Sequence, residues 1–198
     1  SLSLLFNCTP AAGLSPRGPL ALFNILGSKF IHGRWHLAVD KVIQCNSSFV
    51  LQASDAEGCK YIVKVYETAP RHELQALEKL EGVPHVCQLL DHFVEPELGY
   101  VLVFPLYPGV SGVLPLREPA IRKYFSLLIS AVSDCHKRGV MHFDIRPANV
   151  MWDESSGELT LIDFEFAHVW TAESGFSIPH NEVVRRFLCL RSTIYNKA

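Results

Sequence analysis

Two short segments in the C-terminal part of the chain carry oxygen-bearing side chains between apolar residues. The first, residues 140–151, reads His-x-Asp-x-Arg-Pro-x-Asn from His142 to Asn149. The second, residues 162–167, follows an apolar strand and carries Asp163 at its start. Turn-forming residues at 155–157 lie between the two, which predicts a hairpin that joins them. Any fold of this chain must therefore accommodate these polar groups around one short hairpin.

The rest of the chain divides into strands followed by helices. β-Branched and aromatic runs predict strands at 35–44, 48–54 and 60–66, then at 86–94 and 100–104. Apolar residues at helical spacing predict a helix after Pro70, ended by Gly82 and Pro84, and a long helix at 119–138. The apolar stripe predicted for the long helix consists of Ile121, Phe125, Leu128, Ile129 and Val132. Strands and then helices, joined by one linker, indicate an α+β fold of two lobes.

Composition excludes several classes of protein. The chain is 48% hydrophobic and 19% charged, which is typical of a globular protein. A net charge of −2 offers no basic surface, so we expect no nucleic-acid partner. An apolar run of ~20 residues, as a membrane span requires, is missing from the sequence. The six cysteines form no C-x-x-C pair, which favours reduced thiols in a cytoplasmic or nuclear protein.

The two polar segments resemble the catalytic loop and the metal-binding segment of the protein-kinase superfamily. The resemblance implies that Asp144 orients a substrate hydroxyl and accepts its proton. It also implies that Asn149 and Asp163 hold the magnesium ion that bridges the phosphates of ATP. Arg146 occupies the position where Ser/Thr kinases have a lysine near the transferred phosphate, and it retains the positive charge.

A lysine in an apolar strand, Lys64 within residues 61–65, resembles the kinase lysine that contacts the α- and β-phosphates. The burial of such a lysine costs free energy unless its charge is paired. Kinases pair it with a helix glutamate, and the candidates here are Glu73 and Glu78. The E-x-x-x-L-x-x-L register favours Glu73, although it follows Lys64 by only 9 residues. A lysine that points to solvent from an edge strand is the other interpretation.

The segment 102–107 resembles the kinase hinge, whose backbone binds adenine. The resemblance assigns Phe104 as the residue at the back of the pocket and places Leu106 in the hinge. Val50, Ile62 and Met151 would enclose the adenine ring by apolar contact. Together with Lys64, these five residues form the expected ATP site.

Three positions depart from the kinase pattern. Residues 42–50, which correspond to the phosphate-covering loop, contain no glycine. Phe143 replaces the arginine that commonly contacts a phosphorylated activation loop. Glu165 replaces the glycine of D-F-G, which is either a loss typical of a pseudokinase or a further metal ligand. In the second interpretation, the segment from Asp163 to Glu165 resembles the metal-binding segment of choline-kinase-like and aminoglycoside-phosphotransferase-like enzymes.

The resemblance covers residues 35–168 and implies a eukaryotic-type Ser/Thr-kinase-like protein, small or atypical. We expect an N-terminal extension at 1–32, a β-rich N-lobe at 33–104, a hinge and linker at 105–115, and a reduced helical C-lobe at 116–198. The C-lobe ends with a polar loop at 171–180 and an amphipathic helix at 181–190.

The expected function is ATP- and Mg²⁺-dependent phosphotransfer to a hydroxyl, with protein Ser/Thr as the preferred acceptor. A protein substrate or a protein partner is therefore expected besides ATP. One alternative is a pseudokinase that acts as an interaction or scaffold module, with or without nucleotide. The other is a small-molecule kinase of the choline-kinase or aminoglycoside-phosphotransferase type.

Overall fold

The structure is a computed structural model that describes residues 29–45, 48–96, 98–115 and 117–170. The predicted loop at 171–180 and helix at 181–190 lie outside the described residues, as does most of the N-terminal extension. Within the described part, ten strands and two α-helices form an upper, strand-rich lobe and a lower lobe. The predicted α+β fold is thereby confirmed.

The upper lobe is a six-stranded antiparallel sheet. Its strands are β1 (Lys29–His32), β2 (Trp35–Cys45), β3 (Phe49–Ser54), β4 (Lys60–Tyr66), β5 (Asp91–Glu95) and β6 (Gly99–Pro105). Their spatial order is β1-β2-β3-β4-β6-β5. Lys64 lies in β4, where it is paired with Val50 of β3 on one side and with Leu102 of β6 on the other. Its strand is therefore central, and the edge-strand interpretation of this lysine is wrong.

The two faces of β4 bury different cores, because side chains alternate along a strand. Val63 and Val65 point into a core that belongs to the upper lobe. Ile62 and Tyr66 point to the opposite face, into a core that is shared with the lower lobe. Lys64 has the same parity as Ile62 and Tyr66, so it lies on the face that meets the lower lobe.

Helix α1 (Arg71–Lys79) follows β4 after a short connection. Its buried residues are Glu73, Ala76 and Leu77. Helix α2 (Glu118–Lys137) begins with a proline in its first turn, where the missing N–H costs nothing. It ends before Gly139, whose φ of 73° suits the left-handed residue that closes a helix.

Two short sheets of the lower lobe hold the polar segments. Strand β7 (Val140–Met141) pairs with β10 (His168–Val169), and β8 (Val150–Asp153) pairs with β9 (Glu158–Leu161). The first polar segment runs from the end of β7 to the start of β8 and includes a 3-10 turn at Pro147–Asn149. The second segment leaves the end of β9. The predicted hairpin therefore brings both segments to one edge of the lobe.

Backbone bridges connect the lobes at two places. Val86 pairs with Leu161 of β9, and Val110 pairs with Trp152 of β8. Gly109 precedes the second bridge with a φ of 95°, and a Cβ there would lie 2.2 Å from the carbonyl oxygen of Trp152. Only glycine allows the chain to approach β8 this closely.

Two details differ from the sequence-based expectations. The strand predicted at 86–94 begins only at Asp91, because the backbone of His85 and Cys87 bonds to Leu161 of β9 instead of to the sheet. Helix α2 buries Tyr124, Ala131 and Cys135, whereas Phe125 and Ile129 of the expected stripe are exposed. Small Ala and Cys side chains let the helix approach β7 and β9.

Within the described residues, neither helix has the length and apolar character needed to cross a membrane.

Candidate active site

A cleft of about 450 Å³ lies between the sheet and the lower lobe. Its size is within the range typical of small-molecule and cofactor sites. All the residues expected to contact ATP line it, namely Val50, Ile62, Lys64, Phe104, Leu106 and Met151. The three expected metal ligands, Asn149, Asp163 and Glu165, line it too. Asp144 and Arg146 are outside this set of lining residues and lie beside it in the catalytic loop.

Lys64 joins the two lobes across the cleft. Its Nζ donates to Oε1 of Glu73 on α1 at 2.7 Å and to Oδ1 of Asp163 at 2.7 Å. The side chain of Lys64 is 10% exposed, that of Glu73 is 2% exposed and that of Asp163 is 22% exposed. Glu78, the other candidate on α1, is exposed to solvent. The structure thus brings Glu73, and not Glu78, to the lysine.

The charge of Lys64 is stabilised by its partners. Burial alone would lower the pKa of Lys64, but the charge of Glu73, with a smaller contribution from that of Asp163, holds the pKa well above its ordinary value. The ammonium ion is therefore retained in a buried position. A permanent cation that faces the cleft can contact the phosphate groups of a nucleotide.

Tyr66 makes a further contact that the sequence analysis missed. Its hydroxyl donates a short hydrogen bond to Oε2 of Glu73. Burial raises the pKa of Tyr66, and although Lys64 opposes this shift, the carboxylate of Glu73 reinforces it, so the hydroxyl stays protonated. One signal in the sequence could have revealed this contact, because Tyr66 follows Lys64 by two residues and must share its face of the strand.

Asp144 lies in a small network within the catalytic loop. Nδ2 of Asn149 donates to Oδ2 of Asp144 at 2.7 Å and to its backbone oxygen at 2.9 Å. Nε of Arg146 donates to the same Oδ2 at 3.1 Å. The carboxylate is thus oriented by two donors, while Arg146 itself is largely exposed. A carboxylate oriented in this way suits the positioning of a hydroxyl group.

His142 supports this loop from below. Its Nε2 bonds to the backbone oxygen of Ile162 at 2.9 Å, and its Nδ1 accepts from the backbone N–H of Asp144 at 3.2 Å. A carbonyl only accepts and an N–H only donates, so the ring must be the neutral Nε2–H tautomer. Burial lowers the pKa of His142, which agrees with the neutral form. The ring thereby ties the Asp144 segment to the Asp163 segment.

Phe143 takes a backbone conformation with a φ of 60°, which is uncommon for a residue with a side chain. Its ring meets that of His168 on β10 in an edge-on contact, with centroids 6.5 Å apart. The position that carries an arginine in many kinases thus makes an aromatic contact here.

The side-chain oxygen atoms at the base of the cleft suit the coordination of a magnesium ion. Both hydrogen bonds of the Asn149 side chain use Nδ2, which leaves Oδ1 as the atom available to a cation. Asp163 and Glu165 add carboxylate oxygens, and Mg²⁺ favours one or two carboxylates together with substrate phosphates. The described residues contain no cluster of three or more His, Cys, Asp and Glu side chains arranged to hold a metal. A closed, all-protein metal site of the zinc type is therefore not found there.

The turn above the cleft differs from a glycine-rich loop. Ile43 and Gln44 near the end of β2 and Ser48 just before β3 line the cleft, and the structure does not describe residues 46–47 between them. Ser48 is buried, with 5% of its surface exposed. Residues with side chains thus line this part of the cleft, where a glycine-rich loop has glycines.

Comparisons with known proteins agree with this geometry. The protein kinase domain family matches residues 47–187. CBL-interacting protein kinase 22 of Oryza sativa subsp. japonica is 34% identical in an alignment 188 residues long that covers 78% of this chain and 41% of that protein. Cyclin-dependent kinase 20 of Danio rerio is 31% identical in an alignment 119 residues long that covers 57% of this chain and 34% of that protein. The chain thus spans less than half the length of these relatives.

A solved structure gives the same fold. The kinase PK-1 of Cydia pomonella granulovirus aligns with a TM-score of 0.58 at 17% identity, and the alignment covers 67% of this chain and 55% of that one. The fold is therefore protein-kinase-like. Because the family match extends over well more than half of the sequence and includes Lys64, Asp144 and Asp163, the chain belongs to the protein kinase family.

Proposed function

We propose that this chain binds ATP with Mg²⁺ in the cleft between its lobes and transfers the γ-phosphoryl group to a hydroxyl. The observation that carries the proposal is the position of Lys64, whose buried ammonium is held 2.7 Å from both Glu73 and Asp163. A cation of the upper lobe and an acid of the lower lobe thus meet at the point where phosphates would enter.

Each site residue has a role in this proposal. Lys64 contacts phosphate oxygens, Glu73 keeps its ammonium in place, and Asp144 orients the acceptor hydroxyl and receives its proton. Asn149, Asp163 and Glu165 would hold the magnesium ion, which when bound supplies positive charge to the phosphate groups. Catalysis by such residues consists mainly of positioning and of charge stabilisation.

The adenine would be enclosed by apolar side chains. Val50 and Ile62 lie above this part of the cleft and Met151 lies below it, while Phe104 and Leu106 border it. The ring of Phe104 also lies 6.0 Å from Nζ of Lys64, so it borders the buried ion pairs as well. The side chain of Ile62 is larger than the alanine that kinases usually carry at that position, so the pocket is narrower here.

The proposed acceptor is a Ser or Thr side chain of a protein. Support comes from the Asp-x-Arg-Pro-x-Asn order of the catalytic loop and from the likeness to the two protein kinases named above. Glu165, which lines the cleft beside Asp163, favours a small alcohol as the second choice. Arg146 is largely exposed next to Asp144, where it could contact the transferred phosphate.

The decisive experiment measures transfer from γ-labelled ATP, in the presence of Mg²⁺, to a generic basic protein and to small alcohols such as choline. We expect label on the protein, and we expect Asp144→Ala to lower the rate by at least ~100-fold. Thermal unfolding should change little in this variant, because Asn149 keeps its bond to the backbone oxygen of residue 144. Asp134→Ala, which removes a carboxylate from α2, is the matched control and should retain the rate.

Retained turnover in Asp144→Ala would refute the role of that residue. Choline labelled in preference to protein would assign the chain to the small-molecule kinases.

A second candidate function, a pseudokinase, is favoured by the turn above the cleft. Ile43 and Ser48 place side chains where glycine would let backbone N–H groups approach phosphates. Thermal unfolding with and without Mg-ATP separates the candidates, since ligand at 100 times its dissociation constant adds ~2.7 kcal/mol of stability. A stability gain without transfer would indicate a nucleotide-binding pseudokinase. No gain with any nucleotide would exclude the enzyme.

A further inference from the structure

Both oxygens of the Glu73 carboxylate are engaged by one strand. Oε1 accepts from Nζ of Lys64 at 2.7 Å, and Oε2 accepts from the hydroxyl of Tyr66. The two donors are separated by one residue on β4 and lie on the same face of the sheet. Glu73 is 2% exposed and Tyr66 is 7% exposed, so water has little access to this carboxylate.

Lys64 alone cannot satisfy this carboxylate. Its ammonium is shared with Asp163, which lies at the same distance of 2.7 Å as Glu73. Without Tyr66, Oε2 would be a buried acceptor that has lost its donor, which costs more for a charged group than for a neutral one. The raised pKa of Tyr66 keeps its hydroxyl a donor.

The contact also fixes the start of α1. Glu73 lies in the first turn of that helix, and the residue before the helix, Pro70, gives no side-chain cap. The bond from Tyr66 to Glu73 therefore ties this turn directly to the sheet. This bond does not involve the ammonium of Lys64.

We propose that Tyr66 is a positioning residue of the phosphotransfer site: its hydroxyl holds the carboxylate of Glu73 so that Lys64 stays directed into the cleft. This inference rests on the proposed function and deepens it. Tyr66 touches neither phosphate nor acceptor in this role. It acts through Glu73 and Lys64.

The test compares two variants that each remove one hydroxyl from β4. Tyr66→Phe removes the donor to Glu73, and Tyr61→Phe removes a donor to Oδ2 of Asp55 at 2.9 Å on the opposite face. We expect Tyr66→Phe to lower kcat by about 10-fold or more with a smaller change in the KM for ATP, as for a lost hydrogen bond to a charged group. Tyr61→Phe should retain kcat.

A second readout needs no turnover. When Glu73 loses its anchor, the buried amine of Lys64 is held less firmly between Glu73 and Asp163, so a reagent in the cleft reaches it more often. We expect acylation of Lys64 at a fixed mildly alkaline pH, followed by peptide mass spectrometry, to be several-fold faster in Tyr66→Phe than in wild type or Tyr61→Phe. In a Glu73→Gln background the Tyr66→Phe change should add little.

The proposal is overturned if Tyr66→Phe leaves both the acylation rate of Lys64 and kcat at the wild-type values. If the wild-type chain transfers no phosphate, the proposed function fails, while the acylation rates still decide the role of Tyr66. Should Tyr66→Phe not fold, 3-fluorotyrosine is placed at position 66 and its ¹⁹F resonance is recorded with and without Glu73→Gln. A resonance that does not move contradicts the contact.

Discussion

At the scale of single residues, the site depends on how buried charge is compensated. Lys64 and Glu73 are both buried, and the burial of either charge without the other would cost free energy. Asp163 is the more exposed partner and shares the lysine. Removal of either member of the pair would therefore leave a buried charge that is less well compensated.

Glu73→Ala should lower the free energy of unfolding by about 3 kcal/mol, because it leaves a buried ammonium with one carboxylate instead of two. Glu78→Ala on the same helix is the control, and since Glu78 is exposed we expect a change within about 0.5 kcal/mol. Urea unfolding monitored by fluorescence measures both values. Equal losses in the two variants would show that the buried pair adds no stability.

At the scale of elements, strand β1 is the least expected part of the upper lobe. It lies in the range assigned to an N-terminal extension, yet it pairs with β2 over all four residues. The two edges of the sheet then meet, since His32 stacks on Phe93 of β5 with centroids 4.3 Å apart. Trp35 of β2 donates from Nε1 to Asp91 of β5 at 2.8 Å. Strand β1 therefore completes the core of the lobe.

Adjacent residues of β1 provide a test. Phe30 is 1% exposed within the upper core and Ile31 is 62% exposed. We expect Phe30→Ala to lower the free energy of unfolding by about 3–5 kcal/mol, as for other buried aromatic side chains. Ile31→Ala should cost less than about 0.5 kcal/mol. Chemical denaturation measures both values. If the two variants lost similarly little free energy of unfolding, β1 would not be part of the folded lobe.

At the scale of the whole molecule, the lobes share one core. It includes Leu77, Leu102 and Phe104 from the upper lobe, and Tyr124 and Phe164 from the lower lobe. We therefore expect the lobes to unfold together.

Cys87 reports on this shared core. It is buried where the backbone crosses between the lobes, with its N–H donating to the carbonyl oxygen of Leu161 at 2.9 Å. Burial raises the pKa of its thiol to about 12, so only ~10⁻⁴ of it is thiolate at pH 8. Exposed Cys59 should be alkylated by iodoacetamide at least ~100-fold faster, as measured by peptide mass spectrometry. Denaturant should remove the difference, whereas equal rates in the folded protein would contradict a closed core.

Part of the fold and of the candidate site could be predicted from local patterns. β-Branched and aromatic runs predict the strands, and the order of Asp144, Arg146 and Asn149 within six residues predicts the catalytic loop. Such features depend on neighbours in the sequence, whose relative positions the backbone restricts. The predictions of a two-lobe α+β fold and of membership in the protein-kinase superfamily are confirmed for this reason.

Contacts between distant segments were decided only by the tertiary structure. The choice between Glu73 and Glu78 depends on how α1 rotates against the sheet, and the bond between Lys64 and Asp163 spans 99 residues. The membership of β1 in the sheet and the buried face of α2 depend likewise on which surfaces meet. The hydrophobic effect favours the burial of apolar surface, whichever apolar partner covers it. A sequence pattern therefore predicts that a side chain is buried, but it cannot identify the side chain against which it packs.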